Sequence, residues 1–418
     1  MIWLVRLTAG VAIALSGCCL ATGIAAAQFL TTIPSEIRIT TDADSLKLPG
    51  PYAFGIGPVG FQTLPTGFHY VETKPASSSL GWPNFLVISP AAGILPKPGE
   101  SMTAVWVILN PEVVPSMPAG SYAEGAGFAA TGQTAASGGI SILLDLKPGP
   151  PPALQSVLSA ASLQQEISPG EIVSIFGAHL GTAPVTAHYD GAGLYPTDLS
   201  HRNVPYPPSY PYPHDGVTFN GIPAPLLYYS QTQINAIVPY GVAGQKSVNI
   251  VVTHNGMQSA PFPLPVADTS PGIFTATQNG NGQGAILNGN QTPNSASNPA
   301  AKGSAISIFA TGTGVLQQTV PDGSILFGGG ATCPNSLSST ACKPTASGNA
   351  AFPAAPVSLT IGGQPAPLQY VGPSPGSAAA LLQVNAFVPD GVSSGPQPVV
   401  LTVGQNSNTQ QQVTVAVQ

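Results

Sequence analysis

Charged side chains are scarce in this chain. Its 418 residues include 10 Lys and Arg and 16 Asp and Glu, or 6%, whereas about 25% is usual in globular proteins. The formal net charge is −6, and no cluster of basic residues occurs. Because a nucleic-acid-binding protein needs a basic surface that displaces the counterions of the phosphates, we exclude nucleic acid as a partner.

Segments suited to long helices are missing as well. Gly and Pro, which both interrupt helices, number 48 and 46, and the polar residues are mainly Ser, Thr, Asn and Gln. This composition predicts an all-β chain with many turns. Hydrophobic residues make up 43% of the chain, which is more than a disordered chain has.

Long apolar runs are absent beyond the N-terminus, so we expect no membrane span in the mature chain. The N-terminus itself is typical of a signal peptide, because Arg6 precedes an apolar run at residues 7–15. Ala25 and Ala27 fit the small-residue pattern of signal peptidase I, which predicts removal of residues 1–27.

A second route of processing stays open. The segment LSGC at residues 15–18 resembles a bacterial lipobox, which would place a lipid anchor on Cys18. Under either alternative the protein is exported. We therefore expect an extracellular or cell-surface location, with a mature N-terminus at Gln28 or, alternatively, a lipoprotein that starts at Cys18.

Cysteine is also rare, with four residues in the chain. Cys18 and Cys19 lie in the leader, so the mature protein would keep Cys333 and Cys342. Two cysteines so close together in an exported protein most simply form one disulfide. A metal site would need two further ligands, and the neighbouring residues are poor ones.

A Pro-rich stretch divides the chain. The segment KPGPPP at residues 147–152 favours polyproline II structure and predicts a short, stiff linker at 148–152. It separates a first domain, residues 28–147, from a longer C-terminal part. We predict that this part contains two related domains, at 153–270 and 271–418.

The C-terminal part contains an internal duplication. Three pairs of segments recur in the same order: ISPGEIVSIFGAHLG (167–181) and AAKGSAISIFATGTG (300–314), PAPL (223–226) and PAPL (365–368), and QINAIVP (233–239) and QVNAFVP (383–389). The strand-like segments are typical of one buried face, and Asn220-Gly221 and Gly362-Gly363 predict matching tight hairpins. We therefore predict three tandem immunoglobulin-like β-sandwich domains.

The C-terminal part resembles a family of acidobacterial exported proteins. The resemblance is carried by ISPGEIVSIFG, VTFNGIPAPLLY, QINAIVPYGVAG, GQGAILN, NSASNPA and QPVVLTVG, within residues 154–418. The C-terminal domain of that family is uncharacterised, and its halves are similar to immunoglobulin-like IPT/TIG domains. The resemblance implies export and an immunoglobulin-like fold, and it implies no catalytic or binding residues.

The first domain resembles BACON domains, which are also immunoglobulin-like. The resemblance is carried by WPNFLVISPAAG (82–93), TAVWV (103–107) and PAGSY (118–122). It implies a sandwich fold and, because BACON domains often accompany carbohydrate-active modules, sugar binding. The resemblance is partial, since AEG (123–125) stands where the family has a Ser/Thr-rich strand.

Tyrosines in a Pro-rich segment supply a candidate binding site. Tyr206, Tyr210 and Tyr212 lie in VPYPPSYPYPH at residues 204–214. A stiff frame of this kind would hold the rings ready to stack on a sugar or to dock a partner at low entropic cost. The alternative is that the rings fold back over the edge of the sandwich.

Two tryptophans of the first domain are ambiguous. Trp82 begins a predicted strand beside Pro83 and is a further candidate for ligand binding, whereas Trp106 lies between Val105 and Val107. We expect both indole rings to pack in the core of the first sandwich.

No motif in the sequence indicates an enzyme. His179, His188, His201 and His214 are clustered, but they lack the spacing of a zinc motif, so we expect solvated loop histidines without a metal or cofactor. Nucleophile motifs are absent. We predict a non-catalytic binding or adhesion protein whose partner is a polysaccharide or an exported protein. The alternatives are a structural component of an envelope assembly and, third, a polysaccharide-active enzyme.

Overall fold

The computed structural model describes residues 29–42, 48–59, 67–73, 85–97, 100–111, 113–114, 117, 119–131, 138–181, 184–198, 215–328, 330–344, 351–408 and 411–418. The predicted leader, with Cys18, lies outside these ranges. Regular structure within them consists of β-strands and short 3-10 helices, with no α-helix. Across the same ranges, no helix is long and apolar enough to cross a membrane.

The first sandwich consists of two sheets. Its described strands are β1 (Phe29–Ile33), β2 (Glu36–Asp42), β3 (Tyr52–Val59), β4 (Gly67–Thr73), β5 (Leu86–Ser89), β6 (Ala92–Ile94), β7 (Thr103–Leu109), β8 (Gly120–Ala130) and β9 (Gly138–Lys147). One sheet has the order β1-β3-β7-β5 and the other β2-β9-β8-β4-β6. Phe128 packs between the sheets, with its ring centroid 5.6 Å from that of Phe54 and 5.8 Å from that of Phe68.

The second sandwich follows after residues 148–152. Its described strands are β10 (Ala153–Ser159), β11 (Ile172–Ala178), β12 (Val185–Thr186), β13 (Gly216–Phe219), β14 (Ile222–Pro223), β15 (Leu226–Tyr229), β16 (Gln233–Ile237), β17 (Ser247–His254), β18 (Met257–Gln258) and β19 (Phe262–Pro265), with a 3-10 helix at Tyr240–Val242. One sheet has the order β10-β11-β16-β15-β12, and the other is built around β13 and β17. Ile175 and Phe219, one from each sheet, are fully buried in the shared core.

The third sandwich completes the chain. Its described strands are β20 (Gly272–Ile273), β21 (Gly282–Gln283), β22 (Ile286–Asn288), β23 (Ala305–Thr311), β24 (Ile325–Leu326), β25 (Ala331–Ser336), β26 (Lys343–Pro344), β27 (Val357–Ile361), β28 (Gln364–Pro365), β29 (Leu368–Pro373), β30 (Ser377–Ala378), β31 (Leu382–Phe387), β32 (Gly395–Val403), β33 (Asn406–Ser407) and β34 (Val413–Val417), with a 3-10 helix at Ser339–Ala341. Its main sheets run β20-β23-β31-β29-β25-β26 and β21-β34-β32-β27-β28. The prediction of three immunoglobulin-like sandwiches is confirmed, whereas the exact domain boundaries stay predictions.

The second and third sandwiches share a strand arrangement. The order β11-β16-β15 in one corresponds to β23-β31-β29 in the other, and β14-β13-β17 corresponds to β28-β27-β32. In both copies the Gln side chain of the repeated Gln-x-Asn segment donates to the Asn side chain: Gln233 Nε2 lies 2.9 Å from Asn235 Oδ1, and Gln383 Nε2 lies 2.9 Å from Asn385 Oδ1. The repeated segments therefore build the same scaffold twice.

The predicted hairpins have the backbone that their sequences require. Asn220 and Gly221 have φ angles of 49° and 80°, and Gly362 and Gly363 have φ angles of 58° and 76°. Two consecutive left-handed residues form the turn that matches the twist of antiparallel strands, and Asn and Gly adopt this conformation most readily.

The second and third sandwiches pack directly against each other. The hydrogen bonds across their junction run from Ile172 N to Thr311 Oγ1 (3.0 Å), from Tyr240 N to Asp322 Oδ1 (2.8 Å), from Gln411 Nε2 to Ala161 O (3.0 Å), from Tyr195 N to Gly323 O (3.0 Å) and from Ile325 N to Gly193 O (2.7 Å). A small apolar cluster of Ile237, Ala378 and Ala380 lies beside them. The two sandwiches therefore form one continuous unit.

The predicted disulfide is present in the third sandwich. Cys333 on β25 is bonded to Cys342, which directly follows the 3-10 helix Ser339–Ala341. The bond ties this helix to β25, which lies next to the edge strand β26 of the larger sheet.

A buried carboxyl group lies near the junction. Glu171 has no exposed surface; its Oε2 accepts hydrogen bonds from Ser168 N (2.7 Å) and Ser168 Oγ (3.1 Å), and its Oε1 has no hydrogen-bond partner. Burial raises the pKa of Glu171 from 4.5 to about 8. Hydrogen-bonding interactions with Ser159 and Ser168 lower the pKa but are outweighed by burial. In the corresponding turn of the third sandwich, Ser304 occupies the position of Glu171, and its N–H donates to Ala301 O as that of Glu171 does to Ser168 O. The turn itself therefore does not need a carboxyl group.

We predict that the stability of the protein falls as the pH rises through the range between these two pKa values. The native state keeps the proton of Glu171 up to about pH 8, whereas the unfolded chain releases it near pH 4.5. Glu171→Gln, which stays neutral, should therefore stabilise the protein above pH 8, on the order of a few kcal/mol, and change it little near pH 4.5. Urea unfolding of both proteins over this pH range measures the difference; parallel curves would contradict the prediction.

Candidate functional site

The sequence-predicted binding residues lie outside the described ranges. Tyr206, Tyr210 and Tyr212 fall in the gap at 199–214, and Trp82 falls in the gap at 74–84. Their proposed role in binding therefore stays a prediction.

Trp106 lies on the outer face of the first sandwich. The expectation that it packs in the core is wrong: Trp106 is 43% exposed, whereas Val105 and Val107 on either side are fully buried. Successive side chains of a strand point to opposite faces, so the two inward valines require an outward tryptophan. The alternation along β7 predicts this outward position, whereas the apolar neighbours of Trp106 on their own favour burial.

Small residues flank Trp106 on both neighbouring strands. In the register of the sheet, Trp106 on β7 pairs with Ala53 on β3 and with Ser89 on β5. Both small residues are exposed, so the indole ring stands on the sheet without a large neighbour beside it. Trp106 is held by the central part of a paired strand, which fixes its backbone before any ligand arrives.

Further apolar side chains extend this surface. Ile108 and Val87 pair with each other across β7 and β5 and are 36% and 42% exposed, and Ile33 on β1 is 58% exposed. We call this surface the Trp106 face; its described members are Ile33, Ala53, Val87, Ser89, Met102, Ala104, Trp106 and Ile108. Contiguous apolar surface of this kind marks binding sites more often than chance exposure does.

The Trp106 face is uncharged, and the opposite sheet is not. No Asp, Glu, Lys, Arg or His occurs in β1, β3, β5 or β7. The outer face of the other sheet carries these exposed charged residues: Glu36, Arg38, Asp42, Asp145 and Lys147. Charged side chains therefore lie on the outer face of one sheet of the first sandwich, and the strands of the other sheet contain none.

A polar cleft opens at the junction of the second and third sandwiches. It encloses about 560 Å³, and its walls are mainly amide and hydroxyl side chains. Asn408 and Gln411 form the inner wall and are committed to hydrogen bonds within the protein; for example, Gln411 Oε1 accepts from Ile273 N at 2.9 Å. Gln164, Gln165 and Gln405 lie at the rim.

Asp215, Tyr229 and His254 form a buried polar cluster in the second sandwich. Asp215 Oδ2 lies 3.0 Å from Tyr229 Oη and 2.8 Å from His254 Nδ1, and Tyr229 Oη lies 2.7 Å from His254 Nδ1. Asn255 Nδ2, which is a donor, lies 3.3 Å from His254 Nε2. His254 Nε2 is therefore the acceptor, and Nδ1 carries the proton that is donated to Asp215.

This cluster holds the described residue that follows the gap at 199–214. Asp215 is the first described residue after the gap, and Asn255 N donates to its Oδ1 at 2.7 Å. A Cβ atom at Gly216 would lie 2.7 Å from Thr197 O, so the described residues on either side of the gap lie close together. All three side chains of the cluster are less than 9% exposed, which suits an anchor and leaves no open position for a substrate.

The clustered histidines do not form a described metal site. His179 and His188 lie within the described ranges, whereas His201 and His214 lie outside them. Among the described residues, no group of three or more His, Cys, Asp or Glu could hold a metal ion. The histidine that the sequence interpretation missed is His254, although alternation along β17 places it inward after Val248, Ile250 and Val252.

We predict that Asp215→Ala destabilises the protein by about 3 kcal/mol or more. The change removes the buried carboxylate that lies within hydrogen-bond distance of the Tyr229 hydroxyl and His254 Nδ1 and accepts from Asn255 N. Urea unfolding measures the loss. Asp268→Ala removes an exposed carboxylate of the same sandwich and should cost less than about 0.5 kcal/mol; an equal effect of both variants would contradict the anchoring role.

The chain matches no protein-family model and no curated protein, so the two family resemblances stay predictions. Among solved structures it is similar to the Bacteroides ovatus mixed-linkage glucan utilization locus SGBP-B in complex with mixed-linkage heptasaccharide, with 11% identity over 93% of this chain and 70% of that chain and a TM-score of 0.25. The Plexin A4 extracellular region is 9% identical over 94% of this chain and 34% of that chain, with a TM-score of 0.20. The human desmocollin-1 ectodomain is 9% identical over 93% of this chain and 58% of that chain, with a TM-score of 0.20. The chain thus spans a third of the plexin and over half of desmocollin-1. Similarities this weak carry no conclusion about function.

Proposed function

We propose that this protein is an exported, non-catalytic binding protein and that it binds a neutral polysaccharide through the Trp106 face. The observation that carries the proposal is the exposure of Trp106 on a sheet without charged residues. Aromatic rings bury large apolar areas, and the C–H faces of sugar rings supply a matching surface. The strands β3, β5 and β7 hold the ring in place, so binding costs little conformational entropy.

The second and third sandwiches serve as a stiff spacer in this proposal. Their direct hydrogen bonds and shared apolar cluster keep the two units together. Such a spacer would hold the Trp106 face at a distance from the other end of the chain. Tyr206, Tyr210 and Tyr212 are a second proposed contact, since the Pro residues between them favour a stiff segment.

We predict that Trp106→Ala weakens polysaccharide binding at least about tenfold, because the largest exposed ring of the face is removed. Co-sedimentation of the chain from Gln28 to Gln418 with a panel of insoluble and soluble polysaccharides measures the change. Ile94→Ala is the matched control, because Ile94 is 79% exposed on β6 in the opposite sheet of the same sandwich. This control should bind like the unchanged protein.

The outcomes separate the candidate sites. Undiminished binding by Trp106→Ala together with loss in the Tyr206/Tyr210/Tyr212→Ala variant would move the site to the Tyr-rich segment. Absence of binding to every polymer, together with stable complexes with envelope proteins, would replace the proposal with the structural alternative.

A further inference from the structure

We infer that the polar cleft between the second and third sandwiches is a separate binding site for a short, neutral sugar chain. This site goes beyond the proposed function, because it lies in other sandwiches than the Trp106 face and would bind by hydrogen bonds. Three properties of the cleft support it: walls that are already fixed, amide groups at the rim, and a lining without basic or aromatic residues.

The walls of the cleft are fixed by hydrogen bonds that join its two sides. Gln411 Nε2 lies 3.0 Å from Ala161 O, in the second sandwich, and 3.1 Å from Ile273 O, in the third. On the connection between the sandwiches, Thr269 O accepts from Asn406 Nδ2 at 2.7 Å. A ligand would therefore meet walls that are already in place, which lowers the entropic cost of binding.

Three amide side chains at the rim have no hydrogen-bond partner among the described residues. Gln164 and Gln165 are exposed on the second sandwich, and Gln405 is exposed on the third. Each amide has two N–H donors and one carbonyl acceptor. Because these groups belong to both sandwiches, a ligand in the cleft would bond to both units at once.

A sugar chain matches these groups. Each sugar hydroxyl group donates one hydrogen bond and also accepts, and an amide pairs with both functions. Glu166, which also lines the cleft, adds two carboxylate oxygens that accept from neighbouring hydroxyl groups. The volume of about 560 Å³ lies within the range of about 300–1,000 Å³ that small-ligand sites have.

The lining disfavours other classes of ligand. No Lys, Arg or His occurs among its described residues, so phosphate groups and acidic sugars would meet no opposite charge. Pro271 is the one apolar side chain of the described lining, and none of these residues is aromatic. A peptide that docks through apolar or Pro-rich segments would therefore find no pocket for its side chains.

Binding in the cleft should have its own thermodynamic signature. Burial of apolar surface gives a negative heat-capacity change, whereas binding dominated by hydrogen bonds has a favourable enthalpy. Because the lining is polar, we expect a favourable enthalpy and a heat-capacity change close to zero.

Isothermal titration calorimetry of the chain from Gln28 to Gln418 tests the site with soluble cellohexaose, xylohexaose, mannohexaose and maltohexaose. We expect at least one of these sugars to bind with the signature given above. The double variant Gln164→Ala/Gln405→Ala should bind that sugar at least about tenfold more weakly, since each lost hydrogen bond corresponds to about threefold to tenfold. Gln258→Ala is the matched control, because Gln258 is exposed on β18 outside the cleft, and it should bind like the unchanged protein.

Trp106→Ala separates the cleft from the Trp106 face. It should bind the hexasaccharide as the unchanged protein does, and the double variant should still co-sediment with an insoluble polysaccharide. Loss of hexasaccharide binding in Trp106→Ala, with no effect of the double variant, would overturn the inference and leave the proposed function standing. Binding of none of the four sugars would overturn the inference too, whereas the proposed function depends on the co-sedimentation alone.

Other occupants of the cleft give different results. Equal affinity for an uncharged Gly/Ser peptide that competes with the sugar would overturn the inference in favour of a peptide ligand. A concentration-dependent dimer that the double variant converts to a monomer in sedimentation equilibrium would show that a second copy of the chain fills the cleft, and would overturn it as well. Urea unfolding of each variant confirms that the compared proteins are equally folded.

Discussion

The two-residue period of the β-strand is the constraint on which this molecule depends. Every strand that supplies one face to a core must present its other face to a neighbour or to solvent. Because only 6% of the residues are charged, few charged side chains are available for the outward positions. In the sheet that carries Trp106, the described outward side chains are apolar or small, and the outward face becomes a surface suited to binding.

Buried polar groups in the second and third sandwiches are used for anchoring. The Asp215–Tyr229–His254 cluster ties Asp215, just before β13, to β15 and β17, and Gln411 links the turn at Ala161 to the strand at Ile273. Polar groups inside a protein stabilise it when each finds its partner and destabilise it when one is missing. These networks therefore fix where loops and domains meet, which apolar packing alone specifies less sharply.

Local features of the fold could be predicted from the sequence. Asn220-Gly221 predicts its hairpin because both residues adopt the left-handed backbone at little cost. The Asp215–His254 contact joins residues 39 apart in sequence, and only the pairing of β13 with β17 brings them together. The outward position of Trp106 could also be predicted, because strand alternation is a local property. The apolar residues on either side of it favour the opposite prediction, a buried ring.

The conformational entropy that an aromatic ring loses on binding depends on whether the ring stands on a strand or on a loop. A ring on a flexible loop loses conformational entropy when the ligand binds, whereas a ring on a paired strand is already ordered by the hydrogen bonds of the sheet. Trp106 is held on both sides, by β3 and by β5. A ring held in this way loses little conformational entropy on binding, and the lack of charge around it favours neutral surfaces.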